Sequence, residues 1–167
     1  LAPAGATGYD TETSWSWETG AKWQSDNGRW RARVAAFWID WEDMQLTQPL
    51  GNGLFYVDNV GEAESRGVEV EASGQLTKAL RAYGSFGITD TEFDTYTDPY
   101  AGNVAGNELS NVPAYTWLVG MECRTERGAY EFFARADVSG TGEIWYDAGN
   151  TQKQKPWTIA NFRAGVQ

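Results

Sequence analysis

The sequence has no histidine and a single cysteine, Cys123, in 167 residues. Without histidine, Ser–His and Cys–His catalysis, histidine-bound metals and an axial histidine for haem are excluded within this stretch. One cysteine excludes an intrachain disulfide and a CxxC-type zinc site. Positive charge is scarce as well: 13 Lys and Arg stand against 23 Asp and Glu, a formal net charge of −10. That balance argues against nucleic acid as a partner, because phosphate recognition needs a basic patch. No hydrophobic run approaches the ~20 residues of a membrane helix, and the first residues do not read as a signal peptide. No apolar stripe at i, i+3, i+4 persists over three turns, so no helix is expected. A membrane barrel stays open, since barrel strands hide their apolar residues in alternation.

What the sequence has in abundance is aromatic residues and glycine: 9 Trp, 8 Tyr and 7 Phe beside 19 Gly, with 5 Pro. Aromatics at that density favour β-structure. Alternation recurs along the chain. Trp15, Trp17, Thr19, Ala21 and Trp23 share one parity, with Ser16, Glu18, Gly20, Lys22 and Gln24 on the other. An Asn27-Gly28 turn follows, the signal of a tight hairpin. The next strand carries Trp30, Ala32, Val34, Ala36 and Trp38 on one parity; the other begins Arg31, Arg33 but continues Ala35, Phe37, Ile39, Trp41. A bulge or burial of both faces would each explain that switch. Similar alternation marks strands near residues 68–73, 80–89, 130–139 and 160–167, and less cleanly 115–123. That makes about seven strands, several longer than the usual 5–6 residues. Connections near residues 26–28, 75–79 and 125–128 are short, whereas those at 48–55, 93–113 and 142–156 read as long polar links. Short and long in alternation is the stringing of a transmembrane barrel, with tight turns at one end and extended loops at the other.

Four features invite a sharper reading. The run Asp90-Thr91-Glu92-Phe93-Asp94 with Asp98 spaces carboxylates like a calcium loop, but it lacks the glycine and terminal glutamate of an EF-hand and reads as a solvated outer loop. Glu69 and Glu71 lie at i and i+2 of one strand, facing the same way with no opposing carboxylate, so no catalytic residue is assigned. Trp15, Trp30, Trp38, Trp41, Trp117 and Trp157 suit an aromatic girdle at a lipid interface better than a sugar platform. Cys123 falls on an apolar parity as a small lipid- or core-facing residue.

The stretch Asn59-Val60-Gly61-Glu62-Ala63-Glu64-Ser65-Arg66-Gly67-Val68-Glu69-Val70-Glu71-Ala72 resembles the N-x-G-x-A-x-S-x-G-V-E-x-E barrel signature of TonB-dependent outer-membrane receptors. Glu12-Thr13-Ser14 through Glu18-Thr19-Gly20-Ala21-Lys22 is similar to the family's P-E-x-S-x-x-x-E-x-G-x-K strand opening, with Thr11 in place of proline. Gly106-Asn107 with Asn111-Val112-Pro113-Ala114-Tyr115 resembles its G-N-x-x-x-x-V-P-x-Y motif, with Ala114 in place of the common arginine. The likeness is to the ferric-siderophore class, including yersiniabactin-type (pesticin) receptors. It implies an all-β fold, an antiparallel transmembrane β-barrel of which residues 1–167 supply about seven of about 22 strands. The plug domain and terminal strands would lie outside them. It also implies the bacterial outer membrane as location and no enzymatic activity. Partners would be outer-membrane lipid, a ferric siderophore as transported ligand rather than a cofactor, and the TonB complex through the plug. Tyr96, Tyr100, Asn103, Trp145 and Tyr146 are the expected ligand contacts, because planar iron chelates need stacking faces and hydrogen-bond donors. Vitamin B12, haem or an oligosaccharide would be other cargoes. A soluble β-barrel or sandwich binding carbohydrate or another small ligand is the alternative reading.

Overall fold

The computed structural model describes residues 8–49 and 53–167, and no helix occurs among them. Seven long antiparallel strands make one sheet in the order β1-β2-β3-β4-β6-β7-β10. They are β1 (Thr13–Gln24), β2 (Trp30–Pro49), β3 (Phe55–Gln75), β4 (Leu80–Asp98), β6 (Tyr115–Arg127), β7 (Tyr130–Thr141) and β10 (Trp157–Val166). Three two-residue strands lie in the connections: β5 (Gly102–Asn103), which pairs with β4, and β8 (Ile144–Trp145) with β9 (Lys153–Gln154). Each long strand pairs with the next long strand along the chain, the pattern of an up-and-down meander.

Register decides which side chains share a face, since directly opposed residues point the same way. One cross-strand row runs Trp23, Ala32, Ala72, Gly84, Val119, Val138, Ala160. With the parallel rows above and below, it makes a continuous apolar face. This face holds Leu80, Phe86, Tyr130, Phe132 and Phe162, the parity expected to meet lipid. Its side chains stand open, Trp17 at 70% and Phe162 at 76% exposure. The opposite face is polar and concave. It carries Lys22, Arg33, Glu71, Arg81, Glu122 and Arg135 around a hollow of about 740 Å³. The row beginning beside the lower turn in β1 reaches the upper part of β10, so the register staggers across the sheet as strand tilt in a barrel requires. Nine-residue apolar stretches at ~3.3 Å per residue, tilted by about 40°, span roughly 22 Å, close to the height of a barrel's lipid-facing band. A soluble sandwich would cover this face with a second sheet. No such layer exists among the described residues, and β1 and β10 each keep one edge unpaired there.

Strand glycines follow from what lies opposite them. Gly74 faces Trp30, Gly140 faces Trp117, Gly120 faces Tyr83, Gly165 faces Phe133, and Gly67 faces Phe37, each in direct register. In every pair a Cβ on the glycine would overlap the opposing ring. The aromatic side chain lies flat across the gap, covering backbone that glycine leaves bare. The same device serves both faces, with Trp30 and Trp117 outward and Tyr83, Phe133 and Phe37 inward.

Several expectations need correction. Pairing of β2 with β3 is unbroken from Trp30 to Trp41, so the change of pattern at Phe37 is not a bulge. Phe37, Ile39 and Trp41 are half-buried on the inward face. Trp41 opposes Ala63 and Trp157 opposes Thr141, which puts both on the inward parity and outside the girdle formed by Trp15, Trp30, Trp38 and Trp117. The polar link expected at 48–55 is the tip of a long hairpin, because β2 and β3 pair up to Pro49 and Phe55; residues 50–52 lie outside the described residues. Residues 90–94 and Asp98 belong to β4 rather than to a loop. Asp90 and Glu92 point outward while Thr91 and Phe93 point inward, so these carboxylates do not converge as calcium ligands would. The lower connections are short, at residues 25–29, 76–79 and 128–129, and two upper ones are long, at 99–114 and 142–156.

Candidate ligand-binding cleft at the loop end of the sheet

The upper third is shaped by two irregularities. Between Trp41 and Gln45 the register of β2 slips, with Asp43 at a left-handed φ of 55°. Asn59 closes the gap: its Nδ2 donates to the carbonyl of Asp43 (2.6 Å) and to that of Asp10, while its Oδ1 accepts the Asp10 amide (2.7 Å). In β4 a second slip at Asp94 places Phe93 and Tyr96 on the same inward side, with ring centroids 5.1 Å apart. A regular strand would send them to opposite faces. Gly61 permits this approach, since a Cβ there would meet the Thr95 carbonyl at 2.6 Å. The motif beginning at Asn59 is thus a building element: Asn59 clamps the slip, Gly61 admits β4, Ala63 is fully buried, and Gly67 makes room for Phe37.

Around this point sits a hydrophobic core formed by Ala63, Phe93, Tyr96 and Val104, with Met44, Leu46, Val60, Leu109 and Ala148 against it. The loops 99–114 and 142–156 fold onto it and are tied to each other. Asn150, at φ 50°, accepts the Glu108 amide through Oδ1 (2.8 Å) and donates through Nδ2 to the Glu108 carbonyl (3.0 Å). Asn107 Nδ2 donates to the Ala148 carbonyl (2.8 Å), and the Asn111 amide to the Trp145 carbonyl (2.7 Å). Each contact satisfies backbone groups that a loop would otherwise leave to water.

Between these loops and the upper ends of β2 and β4 lies a cleft of about 750 Å³. Met44, Leu46, Phe93 and Leu109 form its apolar part, and Tyr96, Tyr100 and Tyr146 contribute rings. Its charged lining residues are Asp98 and Asp147. Asp98 accepts the amides of Tyr100 and Ala101 (both 2.8 Å) and the Tyr96 hydroxyl (3.3 Å). Asp147 accepts the amides of Thr151 and Gln152 and the Thr151 hydroxyl. Those bonds, led by the Gln152 amide, hold the Asp147 carboxyl below the usual aspartate range. Burial pushes the Tyr96 phenol up, so it stays protonated and bridges Gln48 to Asp98.

The five expected contact residues separate into two groups. Tyr96, Tyr100 and Tyr146 line one cleft, the first two from the end of β4 and its adjoining loop and the third from the distant 142–156 loop. Tyr100 is 82% and Tyr146 53% exposed, whereas Tyr96 at 7% is buried. Tyr146 also donates its hydroxyl to Gln154. Asn103 and Trp145 do not line the cleft. Asn103 spends its Oδ1 on the Ala105 amide (3.1 Å). Trp145 carries the Lys153 ammonium over its ring at 4.8 Å, and its buried Nε1 has no hydrogen-bond partner among the described residues. Sequence reading missed Asp98, Asp147, Met44 and Phe93 as lining residues. The spacing of Asp147 and Thr151 is a side-chain-capped turn that could have been found; the inward turn of Phe93 depends on the slip at Asp94. No group of three or more acidic, histidine or cysteine side chains able to hold a metal ion occurs among the described residues.

The inward face below the cleft is a lattice of paired charges. Arg33 meets Glu71 at 2.7 Å, and Arg124 meets Glu122 at 2.8 Å and Glu131 at 2.7 Å. Arg135 reaches Asp137 and lies 5.0 Å from the centre of the Tyr83 ring. Such a surface suits a water-filled or protein-filled interior and not lipid.

Comparison with known proteins agrees with this architecture. The family described as "TonB dependent receptor-like, beta-barrel" matches residues 2–167. The metal-pseudopaline receptor CntO of Pseudomonas aeruginosa is 31% identical over 150 residues, which is 89% of this chain and 20% of that protein. The ferric yersiniabactin uptake receptor FyuA from Yersinia pestis superposes with a TM-score of 0.73 at 20% identity, over 90% of this chain and 22% of FyuA. The ferric preacinetobactin receptor BauA from Acinetobacter baumannii gives 0.70 at 23% identity, with the same coverages of 90% and 22%. The chain thus spans about a fifth of the length of the curated relatives it matches.

Proposed function

We propose, for a chain that belongs to the TonB-dependent receptor β-barrel family, that it forms a wall segment and two outer loops of a receptor importing a metal chelate, most specifically a ferric siderophore. The family consists of transport receptors of the bacterial outer membrane and not of enzymes. The rest of the barrel wall, pairing with the open edges of β1 and β10, closes the sheet, because lipid cannot satisfy unpaired backbone groups. A plug domain fills the polar interior and couples to TonB. The observation that carries this reading is the cleft itself. Two loops with their own core and cross-ties hold Tyr100 and Tyr146 open above a polar inner wall. Aromatic faces and hydroxyls at a pocket mouth suit a planar, partly apolar chelate.

The test is uptake of labelled ferric chelates by receptor-deficient cells expressing the full-length receptor. Uptake should require TonB and should disappear when residues 99–114 are replaced by a short turn, while the barrel still assembles in the outer membrane. Undiminished TonB-dependent uptake after that replacement would remove the cleft from the mechanism.

A further inference from the structure

Charge is divided unevenly along this chain. The segments above the apolar band, residues 8–14, 40–66, 89–115 and 141–157, hold fifteen acidic side chains and three basic ones, Arg66, Lys153 and Lys155. The remaining strands and lower turns hold eight acidic and ten basic ones. The loop end therefore carries the whole negative excess. None of those three cations lines the cleft. Arg66 is outward and paired with Asp90 and Glu64, and Lys153 is paired with Glu143 (2.7 Å) and held over Trp145. Lys155 is likewise absent from the cleft lining. The two carboxylates that do line it are fixed by hydrogen bonds from amides and hydroxyls, which orient them without cancelling their charge. An independent feature acts in the same direction. The open rings of Tyr100 and Tyr146 present the electron-rich faces that attract cations and repel anions.

From these observations we propose that the cleft selects metal chelates of zero or positive net charge and rejects strongly anionic ones. This rests on the transport reading above and narrows its substrate class. An anion entering the cleft would approach Asp98 and Asp147 with no cation among the described residues lining it in compensation. A neutral or cationic chelate meets the same groups without that cost and gains the ring faces. Fields focused in a cleft alter capture rates by about 10-fold or more, and the effect fades as salt shortens the screening length.

The experiment compares two ferric complexes in receptor-deficient cells expressing the full-length receptor: a neutral or cationic trihydroxamate and a trianionic tris-catecholate. Competition binding to the purified receptor runs in parallel. The neutral or cationic complex should be preferred on the order of tenfold, with the preference shrinking at high salt. Tyr100→Lys adds a cation at the most exposed lining position and should narrow the preference several-fold without impairing barrel assembly. Preference for the trianion, or a preference unmoved by both salt and Tyr100→Lys, would overturn the proposal while leaving the transport reading standing. Failure of the receptor to bind or import either complex would overturn the transport reading and this proposal with it.

Discussion

The lower sheet and the loop end solve the same problem in opposite ways. Below, seven strands have hardly any protein core: the outward apolar side chains stand open, and the inward face is polar, with several of its charges paired. Their burial is left to the surrounding lipid and to whatever fills the interior. Cohesion within the sheet comes from the backbone ladder and from rings laid across glycines. Above the apolar band, where lipid gives no cover, the chain builds a core of its own from Ala63, Phe93, Tyr96 and Val104, all the buried hydrophobic residues among those described. Loops that must hold a binding surface in water need such a core, because ordering a long connection costs conformational entropy that surface contacts alone do not offset.

The contrast is most directly broken in the middle of the lipid-facing band. Ala136 opposes Met121 and Phe162 on the outward face. Ala136→Arg should destabilise the receptor in bilayers by about 2–4 kcal/mol, whereas Ser85→Arg on the inward face should be close to neutral. Folding yield and denaturant unfolding in lipid vesicles measure both. Equal tolerance at the two sites would reverse the assignment of faces.

A smaller effect should come from the glycine–aromatic pairs. Gly120→Val forces a side chain into the Tyr83 ring, an overpacking cost of about 1–3 kcal/mol. Adding Tyr83→Ala should recover much of that loss, which a double-mutant cycle on thermal unfolding reads as strong coupling. Additive effects would mean that the ring does not depend on the glycine.

The mildest perturbation is acid, which should open the loop end before the sheet. Asp147 accepts the Gln152 and Thr151 amides, and its folded carboxyl titrates below its unfolded value. Its contribution is therefore complete above the unfolded aspartate range and is lost as pH falls toward the folded one. Hydrogen exchange at the Thr151 and Gln152 amides, corrected for intrinsic rates, should accelerate between about pH 5 and pH 3, while the amides of β6 and β7 stay protected. Asp147→Asn should remove that dependence. Acid opening of the sheet before the loop would reverse the contrast between the two regions.

Alternation by itself determined the seven strands, their two faces and the short turns, because a period of two is a local property that needs no knowledge of the partner strand. The motif at Asn59 likewise pointed to the family, and Tyr100 and Tyr146 stood out as aromatics in polar links. At the loop end, however, alternation ends the strands too early. There the polar residues of β3 and β4 continue to pair in water, and alternation carries no hydrophobic contrast to read. Aromatic character alone does not say inward or outward for Trp41 and Trp157; only the register does, and it turns both inward. The slip at Asp94, which turns Phe93 and Tyr96 together into one core, depends on the one-residue offset between β3 and β4. The meeting of Tyr96, Tyr100 and Tyr146 in one cleft depends on ties such as Asn150 to Glu108, 42 residues apart. Contacts at that separation are selected by packing in three dimensions, and a periodicity read along the chain has no term for them.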